Sequence, residues 1–135
     1  MLTNAFRLRP AAVPSGMVAA IGTADASKAC EAHNEAQFAE YVFGGRDRCL
    51  VLFGTAWASA CRRARRALEE LAAEGLTTGV VHVDVEAVPA LPRRYGIHGA
   101  PTLVLFEHGQ PVTMRFGETR KEDLRTWLSE QGLFA

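Results

Sequence analysis

The chain has 135 residues, 48% of them hydrophobic, which is enough for one domain with a real core and too few for two of ordinary size. Its 15 basic and 15 acidic residues cancel to a formal charge of zero, so nothing in the balance supports broad electrostatic attachment to a phosphate backbone or an anionic bilayer, and no nucleic-acid partner is expected. No apolar run approaches the roughly 18 to 20 residues that a spanning helix needs, because Arg, Gly, Asp or Glu interrupts each one, so no membrane span is expected either.

Residues 1–33 read as an N-terminal extension. The first acid is Asp25, and before it stand Arg7, Arg9, several alanines and the apolar piece Met17-Val18-Ala19-Ala20-Ile21. That makes residues 1–25 a weak targeting candidate, poor in Ser and basic residues for an organelle signal and short in its apolar piece for a secretory one. A flexible leader is the favoured reading. Cys30, Cys49 and Cys61 form an odd, sparse set, unlike the dense frameworks of small secreted domains. A reducing compartment is expected, cytoplasm or organelle interior, and not secretion.

The folded domain is expected over 34–135. Asn34-Glu35-Ala36-Gln37 has the spacing of a capping box, Phe38, Tyr41 and Val42 continue at helical intervals, and Gly44-Gly45 ends the helix. Cys49-Leu50-Val51-Leu52-Phe53 is apolar on both faces, which predicts a strand in the middle of a sheet. Between 59 and 74 the positions Ala60, Cys61, Ala64, Ala67, Leu68, Leu71 and Ala72 form one stripe of an amphipathic helix, with Gly75 as its C-cap. A β-branched run with His82 and Asp84 interleaved predicts a strand over 80–85, and 89–95 holds only a short helical turn. Two strands, 102–106 and 112–116, flank Glu107-His108-Gly109-Gln110 as a hairpin; the second alternates, so one of its faces should be wet. Thr119-Arg120-Lys121-Glu122 reads as a capping box for a last helix carrying Leu124, Trp127 and Leu128, with Gly132 past its end.

Several strings carry a resemblance. Val83-Asp84-Val85-Glu86, then Pro89, then Tyr95-Gly96-Ile97-His98-Gly99-Ala100-Pro101-Thr102, followed by Leu105-Phe106-Glu107-His108-Gly109 and later Gly117, resemble the thioredoxin family over about residues 34–135. The resemblance implies an α/β thioredoxin-like fold, a central mixed sheet with helices on both faces and a cis-proline loop at Pro101 beside the helix that starts near Ser59. The family's first strand is not evident, since 22–33 holds little β-forming material.

The redox motif departs from the family pattern of Trp, Cys, two variable residues, Cys, because this chain reads Trp57-Ala58-Ser59-Ala60-Cys61. A thiol at a helix N-terminus feels unpaired N–H groups and the helix dipole, which stabilise the thiolate that attacks a disulfide. Ala58 supplies no such group, and Cys61 is left as the remnant redox-motif thiol with nothing to resolve. The family's buried acid beneath the two cysteines corresponds to Leu52, so the proton acceptor is missing as well. Burying a lone carboxylate is costly, and Leu suits the site once dithiol chemistry is gone.

No catalytic residue is therefore assigned, and a competent disulfide oxidoreductase is not expected. The preferred function is protein binding by an adaptor, a chaperone-like factor or a structural subunit of a larger complex. Trp57, Ala58, Gly99, Ala100, Pro101 and Gly117 are the binding positions that the resemblance implies, around a groove for an extended peptide. The alternative is a monothiol redox protein, with thiol-disulfide exchange or glutathionylation at Cys61 in cell redox homeostasis. A Cys on an apolar stripe is more often a core residue, and Cys49 and Cys30 read as a core thiol and an idle one. Arg62, Arg63, Arg65 and Arg66 form a basic face partly balanced by Glu69 and Glu70, with an acidic partner as the sharper reading. His82, His98 and His108 fall on separate elements with no metal-ligand grouping, so neither a metal nor a cofactor is expected.

Overall fold

The computed structural model describes residues 29–117 and 120–134. The targeting reading of 1–25 and the capping reading of Thr119 lie outside them. In chain order the elements are β1 (Ala29–Ala32), α1 (Glu35–Phe43), β2 (Arg48–Gly54), α2 (Ser59–Glu74), β3 (Val80–Asp84), α3 (Ala90–Arg94), β4 (Thr102–Glu107), β5 (Gln110–Phe116) and α4 (Lys121–Glu130). They build one sheet in the order β1-β3-β2-β4-β5. The first three strands run parallel, and β4 and β5 join antiparallel.

The doubly apolar run is the central strand β2. Because side chains alternate along a strand, Cys49, Val51 and Phe53 face one layer while Leu50 and Leu52 face the other. The first layer holds Phe38, Val42 and Phe43 of α1 with Val81, Val83, Leu91, Val104 and Phe106. The second holds Ala64, Leu68 and Leu71 of α2 with Leu124, Trp127 and Leu128 of α4. Helices thus cover both faces, as the family resemblance implied.

The start of α1 is capped as its spacing predicts. Asn34 Oδ1 accepts the backbone N–H of Gln37 at 2.8 Å, and Gln37 Oε1 accepts the N–H of His33 at 2.7 Å. The hairpin closes through His108 and Gly109, both with positive φ (53° and 80°), where Glu107 pairs with Gln110. Gly is favoured at 109 by that backbone and by space, since a Cβ there would stand 2.9 Å from the Phe43 ring.

One feature differs from the sequence reading and a second completes it. The strand β1 lies at Ala29–Ala32, in a stretch where no strand was expected, and pairs in parallel with β3. Its place is set by that neighbour more than by its own propensity, since the sequence Ala-Cys-Glu-Ala holds no β-branched residue. In β5 the wet face is the apolar one: Val112, Met114 and Phe116 are exposed, while Thr113 and Arg115 are half-buried. The register puts Met114 beside Val104, on the face covered by α1 and α3. Those helices pack over the inner strands, and no residue of the outermost strand β5 joins their cluster.

Candidate functional site around the start of α2 and the Pro101 loop

The turn from β2 into α2 carries the departed motif. Ala58 is the N-cap of α2, extended at φ −79° and ψ 131°, with no side-chain cap. Its N–H donates to Thr55 Oγ1 at 3.3 Å, and its carbonyl accepts the first helical bond from Arg62 at 3.1 Å. Cys61 lies in the first turn, pointed into the protein and only 3% exposed. The Thr55 hydroxyl donates to its Sγ at 3.8 Å. Cys49 is buried in β2, and burial pushes its thiol up to about 12, which keeps it protonated. All three cysteines are free thiols.

Trp57, by contrast, is 68% exposed. Its indole Nε1 donates to Glu86 Oε2 at 3.1 Å, and Arg62 Nη1 donates to its carbonyl at 2.7 Å and to that of Ala56 at 3.3 Å. The ring is held in place yet open to solvent, a combination that lowers the entropy lost when an aromatic anchor binds.

The Ala100–Pro101 bond is cis. The Gly117 N–H donates to the Pro101 carbonyl at 2.9 Å, and Thr102 Oγ1 donates to the Gly99 carbonyl at 2.7 Å. Pro101 and Gly117 border a small cavity with Leu52 and with Ala64 of α2, so the loop abuts the front of that helix. The fold therefore groups Gly99, Ala100, Pro101 and Gly117, and sets them against the helix that Trp57 and Ala58 open.

Phe116 was not singled out in the sequence. It is 71% exposed, and its ring lies on Gly99, where a Cβ would stand 2.4 Å from it. With Ile97, Met114 and the loop residues 96–99 it lines an apolar concavity of about 290 Å³. Its alternation with Thr113 and Arg115 was visible, but nothing local told which side the helices would leave bare.

Behind Cys61 is a further cavity of about 40 Å³, lined by Leu52, Cys61, Glu31, Arg65 and His82 among others. His82 of β3 is 3% exposed, and neither ring nitrogen has a hydrogen-bond partner among the protein's own groups. Burial first, then the charge of Arg65, lowers its pKa to about 4, with Glu31 opposing.

The basic face is divided. Arg65 reaches across to β1 and donates to Glu31 at 2.5 Å, with Glu69 at 3.9 Å. Glu70 pairs instead with Lys121 of α4 at 3.1 Å, so it does not balance the cluster as the spacing suggested. Arg62, Arg63 and Arg66 line a separate concavity with Ser59, of about 340 Å³. Among the described residues no three His, Cys, Asp or Glu side chains are grouped to hold a metal ion, and no helix is long and apolar enough to cross a membrane.

A sequence model of the family described as Thioredoxin matches residues 29–130. The chain belongs to the thioredoxin family. It is 34% identical over 96 residues to the thioredoxin of Rhodospirillum rubrum, covering 70% of this chain and 92% of that protein. It is 36% identical over 96 residues to the thioredoxin of Mycolicibacterium smegmatis, covering 69% and 86%. Among solved structures it is similar to a mutant thioredoxin from Halobacterium salinarum, with a TM-score of 0.70 and 28% identity over 81% of this chain and 95% of that one. The matched region of this thioredoxin-family chain begins at β1, the strand that its local sequence did not reveal.

Proposed function

We propose that this thioredoxin-family chain is a protein-binding module without dithiol exchange, acting as an adaptor, chaperone-like factor or subunit of a larger complex. It holds an extended partner segment along Trp57, Ala58, Gly99, Ala100, Pro101 and Gly117. The observation that carries the reading is the start of α2: Ala58 occupies the N-cap, and Cys61 one turn on is buried. A helix terminus can activate only a thiol that stands there, and backbone pairing to an extended peptide needs no thiol at all. Leu52, packed against Ala64 and Leu68, supports the same reading, because an apolar layer replaces the acid that dithiol chemistry employs.

Three expected results test it. With dithiothreitol as reductant, the protein gives no catalysed reduction of a protein disulfide such as that of insulin, and turnover lost in Cys61→Ser would overturn the proposal. The Ala58→Cys variant should form a 58–61 disulfide on oxidation, read by thiol titration, since the helix terminus that favours a thiolate is retained. For binding, Trp57→Ala should weaken the affinity for a groove peptide by about 1 to 3 kcal/mol, measured by calorimetry, with an unchanged melting transition.

The names of the relatives, together with the Thr55 hydroxyl on Cys61 Sγ, favour one second reading, a monothiol redox protein acting through Cys61. Rapid mixed-disulfide formation between folded protein and oxidised glutathione, absent in Cys61→Ser, would select it over the first.

A further inference from the structure

The cavity behind Cys61 is built by one row of the sheet and one turn of a helix. Strand register sets Glu31 of β1, His82 of β3 and Leu52 of β2 side by side. Cys61 and Arg65, one turn apart on α2, close the space above that row to about 40 Å³. The Cys61 sulfur sits over Gly54, where a Cβ would stand 3.2 Å from it, so the glycine leaves the thiol room at the cavity wall. Thr55 adds a hydroxyl that donates to the same sulfur.

Two carboxylates border this cavity, and both are engaged. Glu31 accepts from Arg65, and Asp84 Oδ1 accepts the N–H of Glu86 at 2.9 Å. The imidazole is not: His82 is 3% exposed, and neither ring nitrogen is hydrogen-bonded to the protein. Its pKa near 4 keeps the ring neutral at neutral pH, so one nitrogen presents an N–H and the other a lone pair. Buried polar groups of this kind call for a partner, here one that both donates and accepts. The space of about 40 Å³ admits two or three non-hydrogen atoms, since a single water takes about 10 to 15 Å³.

We propose that this cavity is a site for hydrogen peroxide, in which the Cys61 thiol is oxidised to a sulfenic acid with His82 as the proton acceptor. Peroxide carries two oxygens, each a donor and an acceptor, and so matches both the space and the imidazole. The Cys61 sulfur attacks one oxygen, forming an S–O bond as the O–O bond breaks. The thiol proton passes through His82 to the departing oxygen, which leaves as water, and the sulfur gives up the two electrons that the peroxide takes. The Arg65 charge at the cavity wall favours the departing oxygen while it is anionic.

The product is retained in this setting. Its new oxygen enters the space that His82 borders, where the buried ring can bond to it. Condensation to a disulfide needs a second thiol, and the other two lie across the sheet. Cys49 belongs to the layer under α1, and Cys30 is in register with Val81 of that same layer. Oxidised glutathione and bulky organic hydroperoxides exceed the cavity, so this chemistry differs from the mixed-disulfide reading of Cys61. It also stands independently of the Trp57 groove, which uses no thiol.

The test treats the full chain with hydrogen peroxide at neutral pH, unfolds it in dimedone, which caps sulfenic acids, and maps each cysteine by mass spectrometry. Cys49 is the internal reference, buried like Cys61 but set in an apolar layer. Cys61 should be oxidised at least about tenfold faster than Cys49, and His82→Leu should slow it by about the same factor, with the melting curve confirming the fold. His82→Ala, which leaves the space open, should slow it as well. Neither tert-butyl hydroperoxide nor oxidised glutathione should modify Cys61 in the folded parent. Equal rates at Cys61 and Cys49 would make the cavity a site for water only and end the proposal. An unchanged or faster rate in His82→Ala would overturn it by removing the imidazole from the reaction. Comparable modification by oxidised glutathione would overturn it in favour of mixed-disulfide chemistry, and none of these outcomes bears on peptide binding at Trp57.

Discussion

Between pH 6.5 and pH 4 the folded protein is expected to lose about 3 kcal/mol of stability through His82 alone. The imidazole is buried between β3 and α2 without a hydrogen-bond partner among the protein's own groups, and burial with the Arg65 charge holds its pKa near 4 in place of 6.5. As the pH falls through 6.5 the unfolded chain takes up a proton that the folded chain refuses until about pH 4. Over that window the unfolded state binds more protons, so stability decreases with falling pH, and below it the His82 contribution levels off. Arg65 on α2 opposes protonation, and Glu31 on β1 favours it. Urea midpoints taken at intervals from pH 7 to pH 4.5 would show the slope. In His82→Leu that slope should flatten, and at pH 7 the variant should be at least as stable, since no protein hydrogen bond is removed. An unchanged slope in His82→Leu would assign the acid sensitivity to other groups.

Phe38→Ala is expected to destabilise the domain by about 3 to 5 kcal/mol, a large share of what a domain of this size holds. The ring is 1% exposed and stands at the middle of an aromatic cluster. Its centroid lies 5.9 Å from Phe43, 5.8 Å from Phe106, 6.0 Å from Tyr95 and 6.3 Å from Phe53. Four rings from four parts of the chain cannot collapse into the vacated space together, because each is fixed by its own backbone segment, so the cavity cost adds to the lost burial. Chemical denaturation at pH 7 measures the effect. A loss under about 1 kcal/mol would mean that the cluster repacks freely. The cluster and the Leu52 side of β2 lie on opposite faces of the sheet. Under conditions where the variant remains folded, peptide binding at the Trp57 groove should match the parent protein.

Most of the fold was legible because its signals are local. The two-faced run at β2, the 3.6-residue stripe of α2, the Asn34 cap and the glycine hairpin each follow from the period or backbone preference of a few neighbouring residues. The family strings around Pro101 added the topology. The first strand was not legible: Ala-Cys-Glu-Ala has little β preference, and the partner that places it, β3, lies about 50 residues further along the chain. The same limit applied to β5. Its alternation was plain in the sequence, but which side became wet depended on how far α1 and α3 extend across the sheet, and the structure leaves Phe116, Met114 and Val112 bare.

For the candidate site the division is similar. Residue identity by itself determined that Ala58 supplies no thiol, that Leu52 supplies no carboxylate and that four arginines crowd the early turns of α2. Tertiary structure decided that Arg65 is drawn to Glu31, that Arg62, Arg63 and Arg66 line one concavity with Ser59, that the Trp57 indole is tied to Glu86, and that Phe116 rests on Gly99. It also decided that His82 is buried behind Cys61. Absence of a functional group is a property of one position and survives any folding. A shared surface, a buried charge or an ion pair depends on distances between segments far apart in sequence, which only the packed sheet and its helices fix.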